Sequence, residues 1–90
     1  MNLLQLKYFQ EVARLEHMTK AAESLNVSQP SISNTISRLE KELGVPLFVR
    51  QGRQIRLTPY GQAFLKRVNR SFFELDEGVA ELKEMTGLER

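Results

Sequence analysis

The amino-acid sequence predicts a mainly α-helical fold: three short helices, a two-stranded β-hairpin and one long C-terminal helix. Three observations predict it. Apolar residues recur at helical spacing up to Leu43, with turn and cap residues interrupting them twice. Between Leu47 and Leu57 the pattern changes to two short apolar and β-branched runs around Gly52-Arg53. From Thr58-Pro59 onward the helical spacing resumes and continues to about Met85.

The first helix runs from Leu3 to about Glu16, with Leu3, Leu6, Phe9, Val12 and Ala13 on one face. His17-Met18 breaks that pattern and reads as a packed loop, and Thr19 is the expected N-cap of a short second helix, Lys20 to Leu25. Ala21 and Ala22 are small enough to let another helix come close. Asn26-Val27-Ser28 is a turn, because Asn tolerates a left-handed backbone and Ser28 can cap the next helix. The third helix extends from about Gln29 to Leu43, with Pro30 in its first turn, and stops at Gly44. A short helix, a tight turn and a longer helix in this order outline a helix-turn-helix.

Leu47–Gln51 and Gln54–Leu57 then form the hairpin, most simply through a type II′ turn headed by Gly52. In the last helix Leu65, Val68, Phe72, Leu75, Val79 and Leu82 alternate steps of three and four, a heptad seam. Phe64 and Phe73 fall off that seam and are expected to dock on the helical body, while Tyr8 and Tyr60 pack at its edges. Gly61 and Gly78 each weaken the helix by about 1 kcal/mol relative to Ala, so packing must hold it together. A helix of about seven turns beside so small a body leaves part of the seam overhanging, which predicts a second copy of the chain against it. The domain boundaries are therefore 1–58, with the helix-turn-helix at about 18–43 and the hairpin at about 47–57, and a linker helix in 59–90.

Charge is sorted along the chain. Residues 1–70 carry eleven Lys and Arg against five Asp and Glu, and residues 71–90 carry two against six. A basic body with an acidic tail suits a unit that meets nucleic acid and a segment that stays off the phosphates. The tail cluster of Glu74, Asp76, Glu77, Glu81 and Glu84 reads as a solvated helix face. With no cysteine and a single histidine, thiolate and histidine-rich metal sites are excluded, and neither metal nor cofactor is expected. No nucleophile–base pair or glycine-rich phosphate loop is visible, so no enzymatic activity is expected. No apolar run approaches the length of a membrane span, which makes a cytoplasmic protein the expectation.

The third helix is the informative element. Ile32, Ile36, Leu39 and Leu43 share its core face, while Pro30, Asn34, Ser37 and Lys41 gather opposite, flanked by Ser33 and Arg38. Solvent faces usually carry Glu and Lys. Short hydrogen-bonding side chains instead let a helix sit deep in a DNA major groove. Gln29 and Asn34 are candidates for bidentate adenine contacts, and Pro30 for a thymine methyl. Arg50, Arg53 and Arg56 crowd the hairpin, with Arg53 at its tip, where winged domains add phosphate or minor-groove contacts. The competing reading is a winged helix used only for protein–protein contact. Loss of the hairpin arginines or an acidic third helix would favour it, and neither is present.

Ala21-Ala22, Ser28-Gln29-Pro30-Ser31-Ile32-Ser33, Ile36, Leu39-Glu40, Leu43-Gly44, Leu47-Phe48, Arg50, Arg53, Leu57-Thr58-Pro59 and Gly61 together resemble the N-terminal signature of LysR-type transcriptional regulators. The likeness covers about Leu3 to Leu65. Tyr60 departs from the small residues frequent there, and Asn34 occupies a variable position, so operator preference is left open. The resemblance implies a bacterial transcription factor with a winged helix-turn-helix that binds double-stranded DNA as a homodimer at an interrupted inverted repeat. It implies base-edge roles for Gln29, Pro30, Ser31, Ser33 and Asn34. It places Thr19, Ser28, Ser37, Arg38 and Lys41 on the backbone, and Arg50 and Arg53 in the wing. It assigns the seam of Leu65, Val68, Phe72, Leu75, Val79 and Leu82 to pairing of two chains. Family members carry a further domain that senses a small-molecule effector. No such domain is found before Arg90, which reads as part of a longer protein.

Overall fold

The computed structural model describes residues 1–87. The elements run α1 (Leu3–Leu15), α2 (Met18–Leu25), α3 (Gln29–Leu43), β1 (Phe48–Gln51), β2 (Gln54–Leu57) and α4 (Pro59–Thr86). Residues 88–90 of the predicted 59–90 segment lie outside the described residues. Asn2 starts α1 through a capping box: its side chain accepts from Gln5 N–H at 2.9 Å, and the Gln5 side chain accepts from Asn2 N–H at 3.2 Å. Leu3, predicted on the core face, is exposed.

The end of α1 falls where expected, and the start of α2 does not. Helix α1 ends at Glu16 in the left-handed region, φ 52°, a conformation its sequence does not advertise. Helix α2 is capped by His17, whose Nδ1 accepts from Lys20 N–H at 3.2 Å. Thr19 therefore lies inside the first turn of α2 and is not its N-cap. The turn before α3 agrees with expectation: Asn26 is left-handed at φ 57°, and Ser28 Oγ accepts from Ser31 N–H at 3.2 Å. Gly44 ends α3 at φ 77°, where a side chain would be strained.

The core is one cluster at the meeting of α1, α2, α3, the hairpin and the first half of α4. Phe9, Val12, Ala21, Ala22, Ile32, Ile36, Leu39, Leu47, Ile55 and Val68 are buried in it. The Phe9 ring sits between those of Phe48 and Phe64, at centroid distances of 5.5 and 5.4 Å. Strands β1 and β2 pair antiparallel, Phe48 opposite Leu57 and Gln51 opposite Gln54. Positive φ falls on Gly52, at 65°, and not on Arg53, which is the II′ pattern.

Helix α4 begins at Thr58, whose Oγ1 accepts from Gly61 N–H at 3.0 Å and donates to the Pro46 carbonyl at 2.6 Å. The predicted seam divides in two. Val68 is buried within the chain, and Leu65 and Phe72 pack half-buried on the core, so these positions serve folding first. Val68 in particular leaves nothing for a partner to touch. Leu75, Val79 and Leu82 are exposed, on the half of α4 that projects past the body. Phe64 docks on the core as expected, whereas Phe73 is exposed. Lys7 Nζ sits 4.2 Å from the Phe72 ring centroid, and Gln10 Nε2 donates to Asn69 Oδ1 at 2.7 Å, tying α1 to α4.

Candidate nucleic-acid interface

Helix α3 is amphipathic in an unusual sense. Ile32, Ile36 and Leu39 are buried, and Leu43 is packed against the core. Pro30, Ser31, Asn34, Ser37, Arg38 and Lys41 are all exposed, and Gln29 and Ser33 lie half-buried at one margin. Gln29 Nε2 donates to Ser33 Oγ at 2.9 Å, one turn on. That bond holds the amide in a fixed orientation, while Oε1 and the second Nε2 hydrogen remain for another group. Bidentate contact to a base is thus compatible with it. Ser28 spends an Oγ lone pair on its cap and keeps its hydroxyl hydrogen as a donor. Thr19 is exposed in the first turn of α2.

The hairpin lies beside α3, and a cleft between them is lined by Ser33, Ser37, Glu40, Phe48, Arg50 and Ile55, among others. Alternation along the strands separates the arginines that sequence had grouped together. Arg50 pairs with Ile55 and shares a face with Phe48 and Leu57, the face turned to the body. Arg56 pairs with Val49 on the opposite face and does not line the cleft. Arg53 occupies the turn and is exposed. Among the described residues the ion pairs are Met1 N-terminus–Glu42 and Glu11–Arg14, neither of them on this surface. The cations of Arg38, Lys41, Arg50 and Arg53 are therefore not neutralised by the chain's own carboxylates, as a phosphate-facing surface requires.

One acidic side chain does enter the cleft. Glu40 Oε2 accepts from Leu47 N–H at 2.6 Å and from Phe48 N–H at 3.2 Å. Sequence reasoning assigned it no role, because its partners lie across the Gly44-Val45-Pro46 turn and no local spacing rule links them. Nor does the sequence give Gly61 a packing role, beyond weakening the helix and belonging to the family signature. A Cβ there would stand 2.2 Å from the Leu47 carbonyl oxygen and 2.8 Å from Leu57 Cδ2, so the glycine is what lets α4 lie against the base of the hairpin.

A helix-turn-helix whose second helix is exposed on its polar face, with a hairpin beside it, defines a winged helix-turn-helix protein. A family model described as the bacterial regulatory helix-turn-helix protein of the lysR family matches residues 3–62. The chain belongs to that family. It is 54% identical over 79 residues to the uncharacterized HTH-type transcriptional regulator YybE of Bacillus subtilis (strain 168), spanning 88% of this chain and 27% of that relative. With the HTH-type transcriptional regulator BudR of Klebsiella aerogenes it shares 52% identity over 64 residues, 71% of this chain and 45% of the relative. Among solved structures, the BenM DNA-binding domain in complex with catB site 1 DNA superposes with a TM-score of 0.89 at 35% identity, covering 96% of each chain. The DNA-binding domain of CbnR in its DNA complex superposes with a TM-score of 0.82 at 40% identity, covering 97% of this chain and 99% of that one. The chain thus corresponds to nearly the whole of these domains and to about a quarter of YybE.

Proposed function

We propose that this chain is the DNA-reading and pairing portion of a bacterial transcriptional regulator, with α3 as the helix that enters the major groove. The observation that carries the reading is the exposed face of α3, whose short polar side chains lie next to a hairpin with unneutralised arginines. The major groove is about 12 Å wide and admits a helix, and short side chains let the helix backbone come close to the base edges. Gln29, Pro30, Ser31, Ser33 and Asn34 supply such a surface toward the bases. Ser28, Ser37, Arg38 and Lys41, with Thr19 at the start of α2, flank it at the reach of phosphates. Arg50 at the cleft and Arg53 at the turn extend the contact sideways.

Pairing of two chains falls to the projecting half of α4. Leu75, Val79 and Leu82 are exposed on one face, an arrangement that a monomer in water does not favour. Leu65 and Phe72 contribute at most their half-exposed edges. Two such chains read two half-sites of an inverted repeat from the bacterial cytoplasm, and a small-molecule effector belongs to the rest of a longer protein.

Selection of bound sequences from a random duplex pool, with affinities then measured at several salt concentrations, tests the proposal. An enriched interrupted inverted repeat with steep salt dependence is the expected result. Binding without enrichment would remove the base-reading role of α3, and no salt-dependent binding would remove the DNA role altogether.

A further inference from the structure

The segment Pro46–Phe48 is where α3, the hairpin and α4 meet. On its donor side, Glu40 Oε2 takes both Leu47 N–H and Phe48 N–H, at 2.6 and 3.2 Å. On its acceptor side, the Pro46 carbonyl receives Thr58 Oγ1 at 2.6 Å and the Leu47 carbonyl receives Thr58 N–H at 2.9 Å. One side chain of α3 therefore grips the short segment against which the start of α4 is also fastened. Among the described residues, the other directional tie between hairpin and body is Ile55 N–H to the Glu16 carbonyl, at 3.2 Å. The apolar contacts of Phe48 and Ile55 hold the hairpin to the core but carry little angular preference.

The placement of the acid sharpens the question of its purpose. Glu40 lines the same cleft as Ser33, Ser37 and Arg50, on the side of the molecule proposed to face DNA. A carboxylate there repels phosphates, and with both N–H groups bound to it, part of that charge is taken up inside the fold. Leu47 is fully buried, so its N–H has no water to turn to when the carboxylate is removed.

We propose that Glu40 is a positioning residue: its carboxylate sets where the hairpin stands relative to the exposed face of α3, and so where Arg50 and Arg53 meet the DNA. The inference rests on the DNA-reading role argued above. Glu40 touches no base or phosphate in this scheme and acts through the wing.

The test combines amide hydrogen exchange in the free protein with a double-mutant cycle on a selected duplex. In Glu40→Ala, exchange at Leu47, Phe48 and the hairpin is expected to speed up about tenfold or more, while amides inside α1 and α3 hold their rates. Glu40→Gln keeps an acceptor oxygen and should restore slow exchange; Glu40→Asp, which keeps the charge but is one methylene shorter, should resemble Glu40→Ala and serves if that variant does not fold. On DNA, Arg53→Ala should weaken binding in the parent chain and have much less effect in the Glu40→Ala background. A loss of global stability alone would not produce that non-additivity. Unchanged hairpin exchange in Glu40→Ala overturns the proposal whatever the DNA shows, and so does a fully additive cycle in which Arg53→Ala weakens binding to the parent chain. A silent Arg53→Ala with faster hairpin exchange removes the wing's role in DNA binding and leaves the grip of Glu40 on the hairpin standing.

Discussion

Replacing either glycine of α4 by alanine should have opposite effects on stability. Helix propensity alone predicts a gain of about 1 kcal/mol at both positions. At Gly78 the added Cβ meets nothing within 4 Å and the backbone is not left-handed, so the full gain is expected. At Gly61 the Cβ would stand 2.2 Å from the Leu47 carbonyl oxygen and 3.1 Å from its carbon. The obstacle is backbone, held from the other side by Thr58 and Glu40, and it cannot rotate away as a side chain would. Helix α4 must shift outward by roughly an ångström, which loosens Phe64 and Val68 in the core; overpacking of this kind costs typically about 1–3 kcal/mol. Taking the upper end against the propensity gain leaves a net loss of about 2 kcal/mol. For a domain of this size that lowers Tm by about 8–16 °C, whereas Gly78→Ala should raise it by about 4–8 °C. Thermal unfolding monitored by circular dichroism at one fixed protein concentration measures both, since the proposed pairing of chains would make Tm depend on concentration. A Tm for Gly61→Ala at or above that of the parent would refute the reasoning, because it would mean that the close approach of α4 to the hairpin base does not constrain the fold.

The remaining predictions separate the surfaces. Asn34→Ala should lose about 1–3 kcal/mol at particular base pairs and little at others, and equal losses on every duplex would contradict its reading role. Arg53→Ala should weaken binding to all duplexes alike and reduce the salt slope by about one unit, as removal of a phosphate contact does. Val79→Glu with Leu82→Glu should leave a folded chain near its monomer mass of 10.4 kDa in light scattering, and a persistent dimer would move the pairing surface elsewhere. Glu11 accepts hydrogen bonds from Arg14, at 2.7 and 2.8 Å, and from Ser24, and these hold its carboxyl down from 4.5 to about 2. Since the folded value is the lower one, this contribution is complete above the unfolded value and disappears as pH falls from about 4.5 toward 2. The effect should be small and salt-sensitive, because Arg14 is exposed; denaturant titrations of Glu11→Gln should show a shallower acid decline than the parent, and equal slopes would contradict it.

The comparison of sequence with structure separates short-range chemistry from long-range geometry. Ser28, Asn26, Gly44, Gly52 and Thr58-Pro59 each act within a few residues of themselves, through a cap, a left-handed turn or a restricted φ. Their effects were legible one residue type at a time, and so were the boundaries they set. The division of α3 into a buried side and a polar side came from helical periodicity alone. His17 was not legible as a cap, because its imidazole nitrogen does the work usually done by Ser, Thr, Asp or Asn, and Thr19 stood nearby as the better-known choice.

Tertiary structure decided what depends on partners distant in the chain. The seam of α4 reads as one continuous stripe in sequence, yet Val68 is buried against the chain's own core while Val79 and Leu82 project into solvent. Periodicity reports that a face is apolar and carries no information about which surface covers it. The same limit applies to the hairpin: three arginines in seven residues form one group in sequence, and only the strand register sends Arg50 toward the cleft and Arg56 to the opposite face. Glu40 and Gly61 complete the case. The amino-acid sequence by itself determined the elements, their order and the polar face of α3, because local hydrogen bonding and periodic burial are properties of neighbouring residues. How the wing and α4 are seated on α3 was decided by contacts at Leu47, which the Glu40 carboxylate reaches from α3, and the Thr58 backbone N–H and the bare Cα of Gly61 from the start of α4.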